Sequence, residues 1–379
     1  VDPTLSLLCE LVRIDSVNPS LVPGGAGEAE IARAVADELR AAGLGVEVSE
    51  AAPGRPNVVG VLEGRGPGRS LMLCGHLDSV GVAGMEAPFT PRERDGRIYG
   101  RGAQDMKGGL AAILGAARAV ASDGLAGGRL VVALVADEEH GSLGAEALVR
   151  RWKADGAVVA EPTDLVVAVA HKGFAWVEVV AEGVAAHGSR PADGRDAILR
   201  MGRVLSRLEG RDRRLQSGPA HPHLGPPSLH ASLIEGGREL STYPDRCVLK
   251  LERRTLPGEP EEAALGEVEA ILADLSAADP EFGATARHLF ARPAYEIAPD
   301  HEVPRALEAA LLRLGRPARR GGVSFWADSA ILGHAGIPSV VFGPGGAGLH
   351  GLDEHVRADE VLACRDVLLD LARWYCGSR

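Results

Sequence analysis

The sequence predicts an α/β protein: a mixed, mostly parallel sheet with helices on both faces, into which a ferredoxin-like α+β module is inserted. Three observations carry this reading. Short apolar runs of strand length, among them Leu71–Cys74, Leu130–Ala136, Ala157–Ala160 and Ser339–Phe342, alternate with stretches of helical spacing. Continuous apolar strands of this kind suit a parallel sheet covered on both faces. After Leu165 the texture changes to elements in the order strand, helix, strand, strand, helix, strand, the split β-α-β-β-α-β pattern. The chain, at 379 residues, is long enough for two domains.

Each element has its own signal. Pro3–Ile14 carries Leu5, Leu8, Leu11 and Val12 at helical spacing, and Glu28–Ala42 does the same with Ile31, Val35 and Leu39 before a capping Gly43. Val46–Val48, Asn57–Leu62 and Leu71–Cys74 read as strands, the last ended by Gly75, and residues 81–104 read as loop. Met106–Ala121 is a small-residue helix with Asp105 at its N-cap or just before it. Leu130–Ala136 and Ala157–Ala160 are buried strands around a helix Leu143–Trp152 that Ser142 caps.

In the inserted module, Phe174–Ala181 alternates as an antiparallel strand with one exposed face. Asp196–Leu208 is a helix, Leu229–Ile234 and Cys247–Glu252 are strands, Glu261–Leu275 is a helix and Thr285–Leu289 a strand. The first architecture resumes with helices Val303–Leu314 and Phe325–Ala335, the strand Ser339–Phe342 and a final amphipathic helix Ala358–Tyr375. The expected division is residues 1–171 with 292–379 as one domain and 172–291 as the other, hinged near Lys172 and Arg292.

Composition narrows the function. Hydrophobic residues at 45% and charged residues at 25% are an ordinary globular balance. A net charge of -11 argues against a nucleic-acid partner. No apolar run approaches membrane-spanning length, and no signal peptide is expected. Five cysteines, an odd number without a C-x-x-C pair, fit free thiols in a reducing compartment. A cytoplasmic location is therefore expected.

The chemistry collects at strand ends. Leu71–Cys74 runs into His76 and Asp78, two residues apart and so on one side of extended chain. Leu130–Ala136 runs into Asp137, Glu138, Glu139 and His140; Ala157–Ala160 runs into Glu161; the last apolar strand is followed by His350. Alone, each has a plain reading: a histidine near a turn, an N-cap aspartate, a solvated acidic turn. Together they are hard to obtain by chance, because a parallel sheet brings such ends to one edge, where open α/β sheets bind ligands. Packed carboxylates repel one another unless a cation compensates. Two histidines with several carboxylates suit a borderline divalent ion such as zinc, in a number that fits two ions sharing one carboxylate.

These motifs resemble the M20 metallopeptidase family. The residues that carry the resemblance are Gly75-His76-Leu77-Asp78, Gly100–Gly109 with its Gln104-Asp105-Met106-Lys107 core, Asp137-Glu138-Glu139-His140-Gly141, Glu161-Pro162, Ala186-His187-Gly188-Ser189-Arg190-Pro191 and His350, in family order over nearly the whole chain. The resemblance implies that His76 and Glu161 hold one metal, Glu139 and His350 the other, and that Asp105 bridges them. Two Zn2+ ions are implied, with Co2+ or Mn2+ as substitutes. Asp78 would orient His76 and Glu138 would be the general base. A cis peptide is implied between Asp105 and Met106.

The module would be the family's lid and dimerisation domain. In it His187 would stabilise the oxyanion, in cis or from a partner subunit, and Arg254 would grip the substrate carboxylate. Gly345, with Gly343 and Gly346, is a candidate for backbone contacts to that carboxylate, with a plain tight turn as the alternative. Ser241 stands where the family often has asparagine, and Asp196 where asparagine is common.

The expected function is a two-metal hydrolase that cleaves the amide of an N-acyl amino acid with a free carboxylate. A metallo-exopeptidase, a carboxypeptidase or dipeptidase acting on short peptides, is the alternative. A non-catalytic metal-binding protein of the same fold is a more distant one. The expected partners are a small-molecule substrate and a second copy of the chain, through the lid.

Overall fold

The structure is a computed structural model that describes residues 2–377. The chain divides into two compact units: one runs to Val169 and again over Ile297–Gly322 and from Ala327 on, the other comprises Ala170–Glu296 and Val323–Trp326.

The first unit opens with α1 (Pro3–Arg13), started by Pro3 and capped by Asp2, whose carboxylate accepts from the Thr4 N–H at 2.7 Å. Next, α2 (Ala29–Ala41) buries Ile31, Val35 and Leu39. An antiparallel pair β1 (Gly45–Ala52) and β2 (Arg55–Glu63) precedes β3 (Ser70–His76). The stretch expected as loop contains a small hairpin, β4 (Arg92–Arg94) and β5 (Arg97–Tyr99). A kinked turn at Ala103–Lys107 leads into α3 (Gly108–Asp123). Then follow β6 (Arg129–Val135), α4 (Leu143–Arg151), β7 (Gly156–Val159) and β8 (Val167–His171).

The second unit contains β9 (Gly173–Glu182), α5 (Ala197–Gln216), β10 (Ser228–Gly236), β11 (Arg246–Thr255), α6 (Ala263–Ala278) and β12 (Gly283–Arg292). The sheet is antiparallel, in the order β10-β11-β9-β12. Ala175, Val177, Val179 and Ala181 of β9 share a core with Met201, Val204 and Leu208 of α5 and Val268 and Leu272 of α6. A short β13 (Tyr295–Glu296) pairs with the end of β8.

The chain returns with α7 (Glu302–Arg313), β14 (Arg320–Val323), α8 (Ser329–His334), β15 (Ser339–Val341), β16 (Gly346–Ala347), β17 (His355–Arg357) and α9 (Ala358–Gly377). The helix expected over 325–335 is confined to α8. Trp326 is instead buried and donates its indole N–H to the Pro293 carbonyl at 3.1 Å.

In the first unit's sheet the order runs β1-β2-β6-β3-β7-β15-β8. Its centre, β6-β3-β7-β15, is parallel throughout. Met72 and Cys74 of β3 share a core with Ala145 and Leu148 of α4 and Leu332 of α8. On the opposite face α3 packs between α1 and α9. Burying each such Leu or Met side chain is worth about 1.5–3 kcal/mol. Gly75 lets α3 approach: a Cβ there would lie 2.6 Å from Met106 Cε and 2.9 Å from Leu110 Cδ2. Gly75 does not end the strand, which continues to His76. No helix among the described residues is long and apolar enough to cross a membrane.

Candidate metal centre

The parallel block brings the candidate ligands together. His76 closes β3 opposite Val135, the last residue of β6, so Glu138 and Glu139 emerge beside it. Cys74 pairs with Val159 of β7, and Glu161 follows two residues on. Asp105 comes from the turn before α3. It does not cap that helix: its φ of -120° and ψ of 95° are non-helical, and the helix begins at Gly108. The Asp105–Met106 peptide is cis.

The two oxygens of Asp105 serve different histidines. Oδ1 lies 3.0 Å from His76 Nε2, and Oδ2 lies 3.3 Å from His350 Nε2. His76 Nε2 is also 3.5 Å from Glu161 Oε1, and His350 Nε2 is 3.4 Å from Glu139 Oε2. Donors at 2.0–2.1 Å from a tetrahedral zinc stand about 3.3 Å apart, so these spacings fit the edges of two coordination polyhedra joined at Asp105. Glu139 Oε1 is buried without a hydrogen-bond partner among the described residues. The residues present therefore fit two divalent ions. Glu138 also offers an oxygen within 4.8 Å of the His76 and Glu161 donors. The His76 side chain is 1% exposed and that of His350 54%, so one pole is deep and the other at the mouth.

Electrostatics point the same way. Burial, together with the neighbouring Glu161, pushes the Glu138 carboxyl well above its ordinary range. Burial and the adjacent Asp105 push Glu139 up to about 7. Burial alone would depress the His76 imidazole, but Glu161, Asp105 and Asp78 raise it well above normal. Asp105 and Glu139 lift His350 to about 10. Against the effect of burial, the two histidines hold Asp105 low. So much negative charge in one buried place needs protons or cations to compensate it.

Around the donors lies a buried polar network. Asp78 meets His76 through its backbone: His76 Nδ1 is 2.9 Å from the Asp78 carbonyl oxygen and 3.6 Å from the nearer carboxylate oxygen. The Asp78 carboxylate instead accepts from the backbone N–H groups of Glu138 and Glu139, both at 3.1 Å, and from Asn18 Nδ2 at 2.7 Å. The orienting carboxylate expected from the sequence thus acts chiefly on the Glu138-Glu139 turn. Asn18 Nδ2 also donates to Asp137 Oδ1 at 3.0 Å, which Arg55 reaches at 2.8 Å while bidentate to Glu28 at 2.6 and 2.7 Å. Asp137 holds a left-handed φ of 71°. Ser142, expected to cap α4, is also left-handed and makes no side-chain cap; Asp137 Oδ2 accepts the Leu143 N–H at 3.4 Å.

Asn18, Arg55 and Asp137 were not singled out from sequence as site residues, nor were Arg101 and Glu354. Glu354 is buried and accepts from the Arg101 guanidinium and from the backbone of the Asp105 turn. The available signals were weak: Arg101 lies in the matched Gly100–Gly109 motif, and Glu354 follows His350 by four residues.

Arg254, on β11, donates through Nε to Glu252 at 2.7 Å and stacks over Phe174 at 5.5 Å. Its two terminal nitrogens have no protein side-chain acceptor among the contacts of the described residues. Glu252 also accepts from Trp176 Nε1 at 2.9 Å. The His187 side chain is exposed, with Nδ1 2.8 Å from Ser189 Oγ and 3.2 Å from the Ser189 N–H. The Ser241 carbonyl accepts from the Gly188 N–H at 2.7 Å, which fastens Ser241 beside the His187 loop. In the first unit, the Gly345 N–H donates to Glu360 Oε2 at 2.7 Å, and a Cβ there would strike Asp164 and Arg357. That N–H is therefore already engaged by a side chain of the same unit.

The model of peptidase family M20/M25/M40 matches residues 72–374. Acetylornithine deacetylase of Myxococcus xanthus is 34% identical over 352 residues, 90% of each chain. N-formyl-4-amino-5-aminomethyl-2-methylpyrimidine deformylase of Bacillus subtilis is 29% identical, covering 91% of this chain and 89% of its own. Among solved structures, a tripeptidase from Staphylococcus aureus superposes with a TM-score of 0.82 at 23% identity, over 98% of each chain, a likeness of fold.

Proposed function

This chain belongs to the M20/M25/M40 peptidase family and is a metal-dependent hydrolase, and from that premise we propose that it removes the acyl group from an N-acyl amino acid, using two metal ions. The observation that carries the reading is the division of the Asp105 carboxylate between His76, with Glu161, and His350, with Glu139. Zinc is the proposed ion at both positions, with cobalt or manganese as substitutes. Two ions so held supply Lewis-acid polarisation of the amide carbonyl and lower the pKa of an attacking water.

The chain's own residues do the rest. Glu138 takes a proton from the attacking water and delivers it to the leaving amine nitrogen. Burial raises the pKa of that carboxyl, and cations held beside it would favour the ionised form that accepts the proton. Asp78, through two backbone N–H groups, holds the turn that carries it. Arg254 binds the substrate carboxylate with its terminal nitrogens; the Glu252 contact and the Phe174 stack fix the plane of the fork. His187 stabilises the oxyanion. The Ser189 N–H directed at Nδ1 favours the tautomer with its proton on Nε2, the donor this role needs.

Removal of a small acyl group is favoured over peptide cleavage because the relatives named as a deacetylase and a deformylase are 34% and 29% identical, whereas the tripeptidase likeness is one of fold. The second unit serves as lid and dimerisation domain. In support, β10 is a sheet edge with Leu233 and Ile234 65% and 55% exposed. Free cysteines, four of the five buried, support a cytoplasmic setting.

The direct test is metal content. Purified protein loaded with zinc and freed of excess is expected to carry two ions per chain and to lose N-acetyl amino acid hydrolysis with the metal on chelation. One ion per chain at full activity would contradict the two-ion reading.

A further inference from the structure

Neither Asp105 nor His350 is held by regular secondary structure. Asp105 lies in the kinked turn before α3, and His350 has a left-handed φ of 57° in the segment between β16 and β17. Their spacing must come from something else. One buried carboxylate, outside the donor set, connects them.

Glu354 receives four hydrogen bonds. Oε2 accepts from Arg101 Nη1 at 2.7 Å and the Gly102 N–H at 3.0 Å; Oε1 accepts from the Gln104 N–H at 3.0 Å and the Asp105 N–H at 3.2 Å. The exchange is reciprocal, since Arg101 Nη2 donates to the carbonyl of Gly351, the residue after His350, at 3.1 Å. The Asp105 turn is wrapped on a carboxylate from the His350 segment, and that segment is tied by a guanidinium from the Asp105 turn. A small sheet joins the same two stretches: β5 pairs with β17, and the Tyr99 and His355 rings lie 4.7 Å apart.

The Arg101 and Glu354 side chains are 2% and 1% exposed. A buried ion pair is weak evidence for stability, because desolvation offsets much of its attraction. What the pair adds is geometry: one carboxylate fixes three amides of the turn, those of Gly102, Gln104 and Asp105.

We propose that Glu354 and Arg101 are positioning residues that hold Asp105 and His350 at the separation a second metal ion requires. The inference rests on the two-ion reading above. Loss of an outer partner of this kind typically weakens metal affinity about 10–100-fold.

The test is addition of Co2+ to metal-free protein, followed by calorimetry and visible absorption, for wild type, Glu354→Gln and Arg101→Lys. The lysine keeps a charge but cannot hold Glu354 and Gly351 with one fork. In both variants the first cobalt is expected to bind as in wild type, the second about 10–100-fold more weakly and with an altered absorption band. Glu354→Asp, which keeps the carboxylate, is expected to recover part of the loss. If Glu354→Gln fails to fold, Arg101→Lys decides on the same readout. Variants that bind two ions with wild-type affinity and spectrum, and merely melt lower, overturn the inference alone. A wild type that takes up a single ion overturns the two-ion reading, and the inference with it.

Discussion

Asp78 touches His76 with its backbone carbonyl, 2.9 Å from Nδ1, while its carboxylate stands 3.6 Å from the ring and binds the amides of Glu138 and Glu139. This separates two roles that sequence alone merges. The carbonyl faces the histidine Nδ1; the carboxylate holds the turn that bears Glu138, the proposed base. Asp78→Asn leaves the carbonyl in place and replaces one accepting oxygen with a donor. The expected result is metal affinity within a few-fold of wild type but kcat lowered on the order of 10-fold or more. A fall in metal affinity that accounts for the whole loss of rate would return Asp78 to the orientation of His76.

Glu138 contributes no oxygen to the four contacts that the two histidines make with Asp105, Glu161 and Glu139. Removing it should therefore spare the metals and slow the chemistry. For Glu138→Ala, retained metal content with kcat reduced about 10²–10⁴-fold is expected, the range for loss of a positioned proton-transfer group. Near-normal turnover would exclude the role, and loss of one ion would make Glu138 a ligand instead.

Much of this was legible in the sequence because a parallel sheet turns sequence pattern into location. The apolar runs ending at His76, before Glu138 and before Glu161 are neighbouring strands in the structure, so their following residues had to meet. The β-α-β-β-α-β order, whose sheet is antiparallel, was legible for a different reason: each element has its own period.

What escaped depends on partners distant in sequence. Asn18 and Asp137 are 119 residues apart, Arg101 and Glu354 253, and no local pattern announces either pair. The Asp105 kink was hidden because small residues from Met106 on continue a helical composition, while packing starts the helix at Gly108. The C-terminal half of α5, running to Gln216, was missed because it is built of charged helix formers such as Glu209 and Arg211–Arg214 rather than apolar repeats.

The surface of the second unit offers a test of assembly. Leu233 on β10 and Leu199 on α5 are 65% and 71% exposed. Unpaired edges with apolar side chains are sites for pairing with another chain. Light scattering is expected to show a dimer for wild type and a monomer for the double variant Leu199→Glu with Leu233→Glu. If His187 acts on the partner's substrate, the monomer will also lose most of its activity. A monomeric wild type with full activity would contradict both.

The measurement that bears most directly on the function is amine release by zinc- or cobalt-loaded protein from a matched panel of N-acetyl, N-formyl and N-succinyl amino acids and dipeptides. The expected outcome is a clear preference, in kcat/KM, for one small-acyl class over every dipeptide, abolished by chelation. Faster hydrolysis of dipeptides than of any N-acyl amino acid would contradict the deacylase reading and make the enzyme an exopeptidase.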